Sequence, residues 1–96
     1  MLILHIATRA QWEAAQLTGL YDGNTLKTEG FIHCCTPGQL MYVLIKHYPR
    51  AVDHAIVEIE TEKVTAEIKW EGDPQKFPHI YGPLNLSAVT RIKQLW

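Results

Sequence analysis

Ninety-six residues carry nine basic and ten acidic side chains, a net charge of −1 with histidines neutral; no basic stripe of the kind that follows a phosphate backbone is visible, so nucleic-acid binding is disfavoured. Hydrophobic residues make up 47% and charged residues 20%, which supplies a packed core and argues against disorder. The length suits a single domain over 1–96, no apolar run approaches the roughly 20 residues of a membrane-spanning helix, and Met1-Leu-Ile-Leu-His5 lacks the basic segment and cleavage site of a signal peptide.

Leu2–Ala7 is short, apolar and partly β-branched, and reads as a buried strand. It ends at Thr8-Arg9-Ala10-Gln11, a capping-box pattern that starts a helix from about Arg9 to Leu17, with Trp12, Ala15 and Leu17 on one side. Gly19 is placed to stop that helix in a left-handed turn. Tyr21-Asp-Gly-Asn24 is turn chemistry, after which Asn24 or Thr25 caps a single helical turn through Lys27. Gly30–Cys35 is the second strand. Thr36-Pro-Gly-Gln39 repeats the helix-start pattern, and the helix that follows runs to about Tyr48, before Pro49, with Leu40, Val43, Leu44 and His47 at helical spacing.

Strands follow in the second half. His54–Glu60 alternates Ala55, Val57 and Ile59 against a more polar face. Thr61–Val64 turns the chain, Ala66–Glu71 sets Ala66, Ile68 and Trp70 on one side, and Gly72-Asp-Pro74 breaks the strand. Phe77–Tyr81 is a short extended piece and Ala88–Trp96 a closing strand. The order β-α-β-α-β-β-β-β, with two short helices early and strands late, predicts an α+β fold built on a small, mostly antiparallel sheet.

Chemistry-bearing residues concentrate in three places. In Glu29-Gly-Phe-Ile-His-Cys-Cys-Thr36, alternation puts Phe31, His33 and Cys35 on one face and Ile32 and Cys34 on the other. His33 is therefore either a site residue or a hydrogen-bonded core histidine, since a buried polar group needs a partner. His5, inside an apolar first strand, poses the same choice. In Phe77-Pro-His-Ile-Tyr-Gly-Pro83 the prolines stiffen the backbone, so His79 and Tyr81 form either a pocket wall or an irregular edge over the core. Glu71, at a strand end, is a carboxylate of either catalytic or merely solvated kind, and Arg9 is a solvated charge or a phosphate contact.

Cys34 and Cys35 are adjacent, cannot close a long loop and, as free thiols, fit a reducing compartment; a cytoplasmic location is expected. Cys35 sits ahead of a helix N-terminus, where the dipole favours a thiolate, although filling small core volume is the commoner fate of a free cysteine. His33, Cys35, His5, Cys34 and His79 are residue types that zinc accepts, but no paired Cys-x-x-Cys or His-x-x-x-His spacing occurs, and no metal site is expected. Serine-hydrolase, Walker and dinucleotide-fold glycine patterns are absent.

Leu4-His-Ile-Ala-Thr8, Trp12-Glu13, Tyr21, Leu26, Glu29-Gly-Phe-Ile-His-Cys34, Gln39-Leu40, Trp70-Glu71 and Phe77-Pro-His-Ile-Tyr-Gly-Pro83 together resemble the bacterial family catalogued as domain of unknown function 952. The resemblance spans nearly the whole chain. It implies an ADP-ribosyltransferase-like fold, in which a split antiparallel sheet grips NAD. It further implies that His5 holds the adenosine ribose, that Ala7–Arg9 lies near the nicotinamide amide, and that Gly30–Thr36 is the strand beside the nicotinamide. Glu71 is then the candidate for the glutamate near the acceptor ribose. Cys34-Cys35-Thr36 departs from the family's Cys-Ser-Thr, which removes a hydroxyl, and His33 and His79 have no standard role in the enzyme group.

The candidate catalytic residues are Glu71 and His33. The candidate cofactor-binding residues are His5, Thr8, Arg9, Phe31, Cys35, His79 and Tyr81, with NAD as the cofactor implied. Three readings stand: an NAD-dependent ADP-ribosyl transferase acting on an unknown acceptor, a noncatalytic module binding a nucleotide or another small anionic metabolite, and a structural or partner-binding domain.

Overall fold

Strand β1 (Leu2–Thr8) is apolar on both sides because it is covered on both sides: Ile3 and Ala7 enter one cluster of buried side chains, Leu4 another. The computed structural model describes residues 1–23, 25–50 and 52–96. Thr8 closes β1 and opens helix α1 (Arg9–Thr18) with the expected capping box. The Gln11 backbone N–H donates to Thr8 Oγ1 at 3.2 Å, and the Thr8 N–H donates to Gln11 Oε1 at 3.4 Å. α1 buries Trp12 and Ala15 and stops at Gly19, whose φ of 82° is the left-handed conformation open to glycine. Leu17 faces away from this packing and is exposed.

The chain continues through β2 (Leu20–Tyr21), α2 (Thr25–Glu29) and β3 (Ile32–His33). Thr25 is the first residue of α2, and its hydroxyl donates to Phe31 O at 2.7 Å; Asn24, the other residue expected to cap this turn, lies outside the described residues. A 3-10 turn at Pro37–Gln39 leads into α3 (Leu40–His47), with the Thr36 N–H donating to Gln39 Oε1 at 2.9 Å. β4 (His54–Glu60), β5 (Glu67–Glu71), β6 (Phe77–Tyr81), β7 (Leu84–Asn85) and β8 (Val89–Gln94) complete the order, with 3-10 turns at Thr61–Lys63 and Leu86–Ala88.

Among the described residues the strands form three antiparallel sheets, β1-β4-β8, β3-β6-β5 and the short pair β2-β7. The two larger sheets meet, among the described residues, at one isolated bridge. Leu4 donates to Cys35 O at 2.7 Å, and Cys35 donates back to Leu4 O at 2.8 Å. The main core lies between the Ile3, Ala7, Val57 and Ile59 face of the first sheet, α1, and the Ile32 and Ile80 face of the second. Each fully buried isoleucine there contributes about 2 kcal/mol of hydrophobic stabilisation. A smaller cluster of Leu4, Cys35 and Ile56 lies on the other side of β1 and β4, covered by Leu40 and Val43 of α3.

The architecture is thus a small α+β fold with antiparallel sheets and few helices, but three details depart from the expected order. β2 and β7 are additional, since strands of two residues carry too little periodicity to register, and the single helical turn expected through Lys27 runs on to Glu29 as a third short α-helix among the described residues. The second strand is Ile32–His33, shorter than Gly30–Cys35, because the backbone changes partner at its end: Cys34 donates to Pro78 O, Cys35 to Leu4 O. The closing strand, β8, begins at Val89 and carries a bulge. The register slips between Glu58 and Ile59, and this bulge lets both Val89 and Ile92 pack on the core.

Candidate functional site

The sheet β3-β6-β5 turns Ile32, Ile80 and Ile68 inward and His33, His79, Tyr81, Lys69 and Glu71 outward. His33 stands directly opposite His79. Because the next residue, Cys34, donates to Pro78 O at 3.0 Å, the two histidines occupy a non-hydrogen-bonded pair, the position at which cross-strand side chains lie closest.

Phe31 organises this face. Its ring stacks on His79 with centroids 4.1 Å apart and planes 14° apart, and it lies 4.8 Å from the His33 ring and 5.2 Å from that of Tyr81. The His33 and His79 rings meet edge-on at 5.2 Å. Glu71 Oε1 accepts two hydrogen bonds, from Tyr81 OH at 2.5 Å and from His79 Nδ1–H at 2.9 Å. The Tyr81 bond, then the His79 bond, hold the Glu71 carboxyl below its ordinary range, and the same Glu71 contact raises the Tyr81 phenol. His33 Nε2–H donates to Glu29 Oε1 at 3.2 Å, and Lys69 Nζ sits 4.7 Å above the Tyr81 ring.

This face borders a groove of about 730 Å³, a size suited to a small organic ligand. Leu4 and Ile6 of β1 line it, with Tyr42, Val43, Lys46 and His47 of α3, Tyr48, His33, Cys34, Cys35, Phe77 and the turn Gly72–Gln75. Glu71 is the register partner of Phe77 and precedes that turn. Gly72 is required there: its φ is 129°, and a Cβ would come within 2.4 Å of Gln75 O. Lys46 Nζ donates to Tyr42 OH at 2.9 Å, which places a cation at the groove. The thiols are neutral, since burial pushes Cys35 up to about 11 and Cys34 higher still.

His5 lies on the opposite face of β1 from Leu4 and Ile6, as strand alternation requires. Both of its ring nitrogens have protein partners. His33 O, pointing away from β6, accepts from Nδ1–H at 2.5 Å, and Tyr21 OH donates to Nε2 at 2.6 Å. A carbonyl can only accept, so neutral His5 is the Nδ1–H tautomer and Tyr21 must be the donor. Burial lowers its pKa from 6.5 to about 4. Thr8 spends its hydroxyl on the α1 cap. Arg9 is exposed; its Nε pairs with Glu13 at 3.3 Å, and its guanidinium lies 5.1 Å from the Trp96 ring centroid.

Of the predicted residues, the structure brings together Phe31, His33, Glu71, His79 and Tyr81 on one sheet face, with Cys35 buried beside the groove; His5, Thr8 and Arg9 stand apart from that face. Glu29, Tyr21 and the α3 residues Lys46 and His47 were not singled out as site residues. Glu29 and Tyr21 both stand among the residues that carry the family resemblance, whereas nothing in the sequence pointed to Lys46 or His47. Among the described residues no three His, Cys, Asp or Glu are grouped to hold a metal ion, and no helix is long and apolar enough to cross a membrane.

Comparison with known proteins gives a family and a structural likeness. The family described as protein of unknown function (DUF952) matches residues 6–92. An X-ray structure of protein CC0527 from Caulobacter crescentus is similar at a TM-score of 0.87 and 31% identity, over 97% of this chain and 84% of that one. A solution NMR structure of the same protein is similar at 0.82 and 32%, over 97% and 83%. No curated protein matches.

Proposed function

Because the chain belongs to the DUF952 family, whose description names no activity, we propose its function from the site: it binds a nucleotide of NAD type at the groove and transfers ADP-ribose to an acceptor. The observation that carries this reading is the Glu71 carboxylate, kept ionised and fixed by Tyr81 and His79 beside the stacked rings of Phe31 and His79. A flat, positively charged nicotinamide ring suits such a surface, and the resemblance to the ADP-ribosyltransferase group points the same way. In the transfer, the glycosidic C–N bond breaks and its electron pair leaves with nicotinamide. Glu71 then faces the positive charge developing on the ribose, a stabilisation worth most when the charge is already positioned. The acceptor's lone pair forms the new bond at the ribose carbon, and its proton passes to solvent.

The test is an NMR titration of the labelled protein with NAD, followed by measurement of nicotinamide release with water as acceptor. Amide shifts grouped at Phe31–Thr36, Glu71–Phe77 and His79–Gly82 are expected. Glu71→Gln should lower release by about 10²–10³-fold without loss of binding. No shifts at millimolar NAD would overturn the reading.

A noncatalytic nucleotide- or anion-binding module is the second reading. It is favoured by His5, expected to hold ribose, having protein partners on both nitrogens. Equal NAD affinity in Glu71→Gln, with no nicotinamide released by either form, would select it.

A further inference from the structure

We propose that His33 and His79 bind a divalent transition-metal ion of the zinc type, the protein supplying these two nitrogen ligands and water or an anionic ligand the rest. The proposal stands on the geometry of the histidine pair and needs no nucleotide.

Tautomers come first. Glu71 and Glu29, as carboxylates, only accept. His79 must therefore carry its proton on Nδ1, which donates to Glu71, and His33 must carry its proton on Nε2, which donates to Glu29. Each neutral ring is left with one bare lone pair, at His79 Nε2 and at His33 Nδ1. No described residue hydrogen-bonds to either atom. His33 is half-exposed, with 49% of its side chain open to solvent. His79 is 14% exposed, and the one buried side-chain nitrogen or oxygen without a partner among the described residues is His54 Nδ1, so the free His79 nitrogen reaches solvent.

Position comes second. The two residues face each other across β3 and β6 at a non-hydrogen-bonded pair, where Cβ atoms stand about 4.5–5.5 Å apart, and their rings are 5.2 Å apart. Glu71 stands on β5, on the far side of β6 from β3. The His79 nitrogen turned away from Glu71 is therefore on the His33 side. Phe31, stacked on His79, holds that ring in its plane.

A carboxylate stands behind each ring, Glu71 behind His79 and Glu29 behind His33. Metal-binding histidines characteristically donate their second N–H to a carboxylate or carbonyl, which fixes the tautomer and raises the basicity of the ligating nitrogen. One histidine–glutamate contact on a sheet surface is ordinary. Two, behind directly opposed histidines whose other nitrogens are both free, give each ring the outer carboxylate that metal-bound histidines have. Catalytic zinc sites have three protein ligands and one open position; two ligands here leave two or more positions to water or an anionic ligand.

The experiment is calorimetric titration of the intact protein with zinc and nickel salts in the absence of nucleotide, with ¹⁵N spectra of the histidine side chains. Saturable one-to-one binding is expected, with the largest shifts at His33 Nδ1 and His79 Nε2. His33→Ala, at an exposed position, should weaken binding at least tenfold, and Glu29→Gln, which leaves both ligands in place, by about 10–100-fold. No binding up to millimolar metal would overturn the proposal. So would binding of unchanged affinity in His33→Ala, which would move the ion to the thiols or to His47. Since NAD is absent throughout, either result leaves the nucleotide reading to its own titration.

Discussion

His5 shows how one buried residue ties the site to the core. At His33 the backbone carbonyl points away from β6, and the imidazole of His5 takes it up while Tyr21 satisfies the other nitrogen. Tyr21→Phe would leave that nitrogen as a buried, unpaired acceptor without changing the volume of the ring. The expected cost is about 1–3 kcal/mol, read as a lower denaturant midpoint with an unchanged slope. The thiols make the opposite kind of prediction. Cys34 and Cys35 are 6% and 2% exposed, and burial holds both protonated. A thiol reagent such as Ellman's should therefore leave the native protein unmodified at pH 8 and titrate both cysteines once it is unfolded. Fast modification of native Cys35 would restore it as a nucleophile.

At the scale of elements, the ends and turns are most sensitive to single changes. Thr8→Ala removes the oxygen that accepts from Gln11 N–H and should cost about 1 kcal/mol through α1. Gly72→Ala should cost more, because it adds a positive-φ strain of about 1–3 kcal/mol to the close approach of Gln75 O; comparing the two melting temperatures checks the ranking. Such local chemistry is what the sequence made legible. The helix starts at Thr8 and Thr36 depend on residues three apart, and the inward face of β4 on strict alternation, and both were readable. Alternation put Phe31 and His33 on one face, but the pairing of His33 with His79 across the sheet was not readable, and Cys35, expected on that face, is buried with Leu4 and Ile56 instead. What stayed hidden depends on tertiary partners: the two-residue strands β2 and β7, the bulge that turns both Val89 and Ile92 inward, the Tyr21 hydroxyl against His5, and the contribution of α3 to the groove. His5 itself was legible as a polar residue needing a partner, but whether that partner was a ligand or the protein could not be read without the position of Tyr21.

For the whole molecule, the junction of the two larger sheets sets the response to acid. Leu4 and Cys35 bridge the sheets through the backbone, and His5, in the same strand, adds a side-chain tie to His33 O. Its pKa is lowered from 6.5 to about 4 in the folded state because burial penalises the charged ring. Between those values the unfolded chain binds more protons than the folded one, so stability must fall as pH falls. This contribution is fully present above about pH 6.5 and is lost on the way down to pH 4; it amounts to about 3 kcal/mol over the full range, of which about 2 kcal/mol should be gone at pH 5. Glu71 acts in the same direction, because its hydrogen bonds from Tyr81 and His79 lower its pKa and their contribution is lost as acid protonates the carboxylate. Urea unfolding at pH 7 and pH 5 measures the first of these losses. The His5 ring resonances supply the independent check: they should stay in the neutral Nδ1–H form down to pH 5, whereas a midpoint near 6.5 would show that the ring is not held between His33 O and Tyr21 and would remove His5 as the origin of the acid sensitivity.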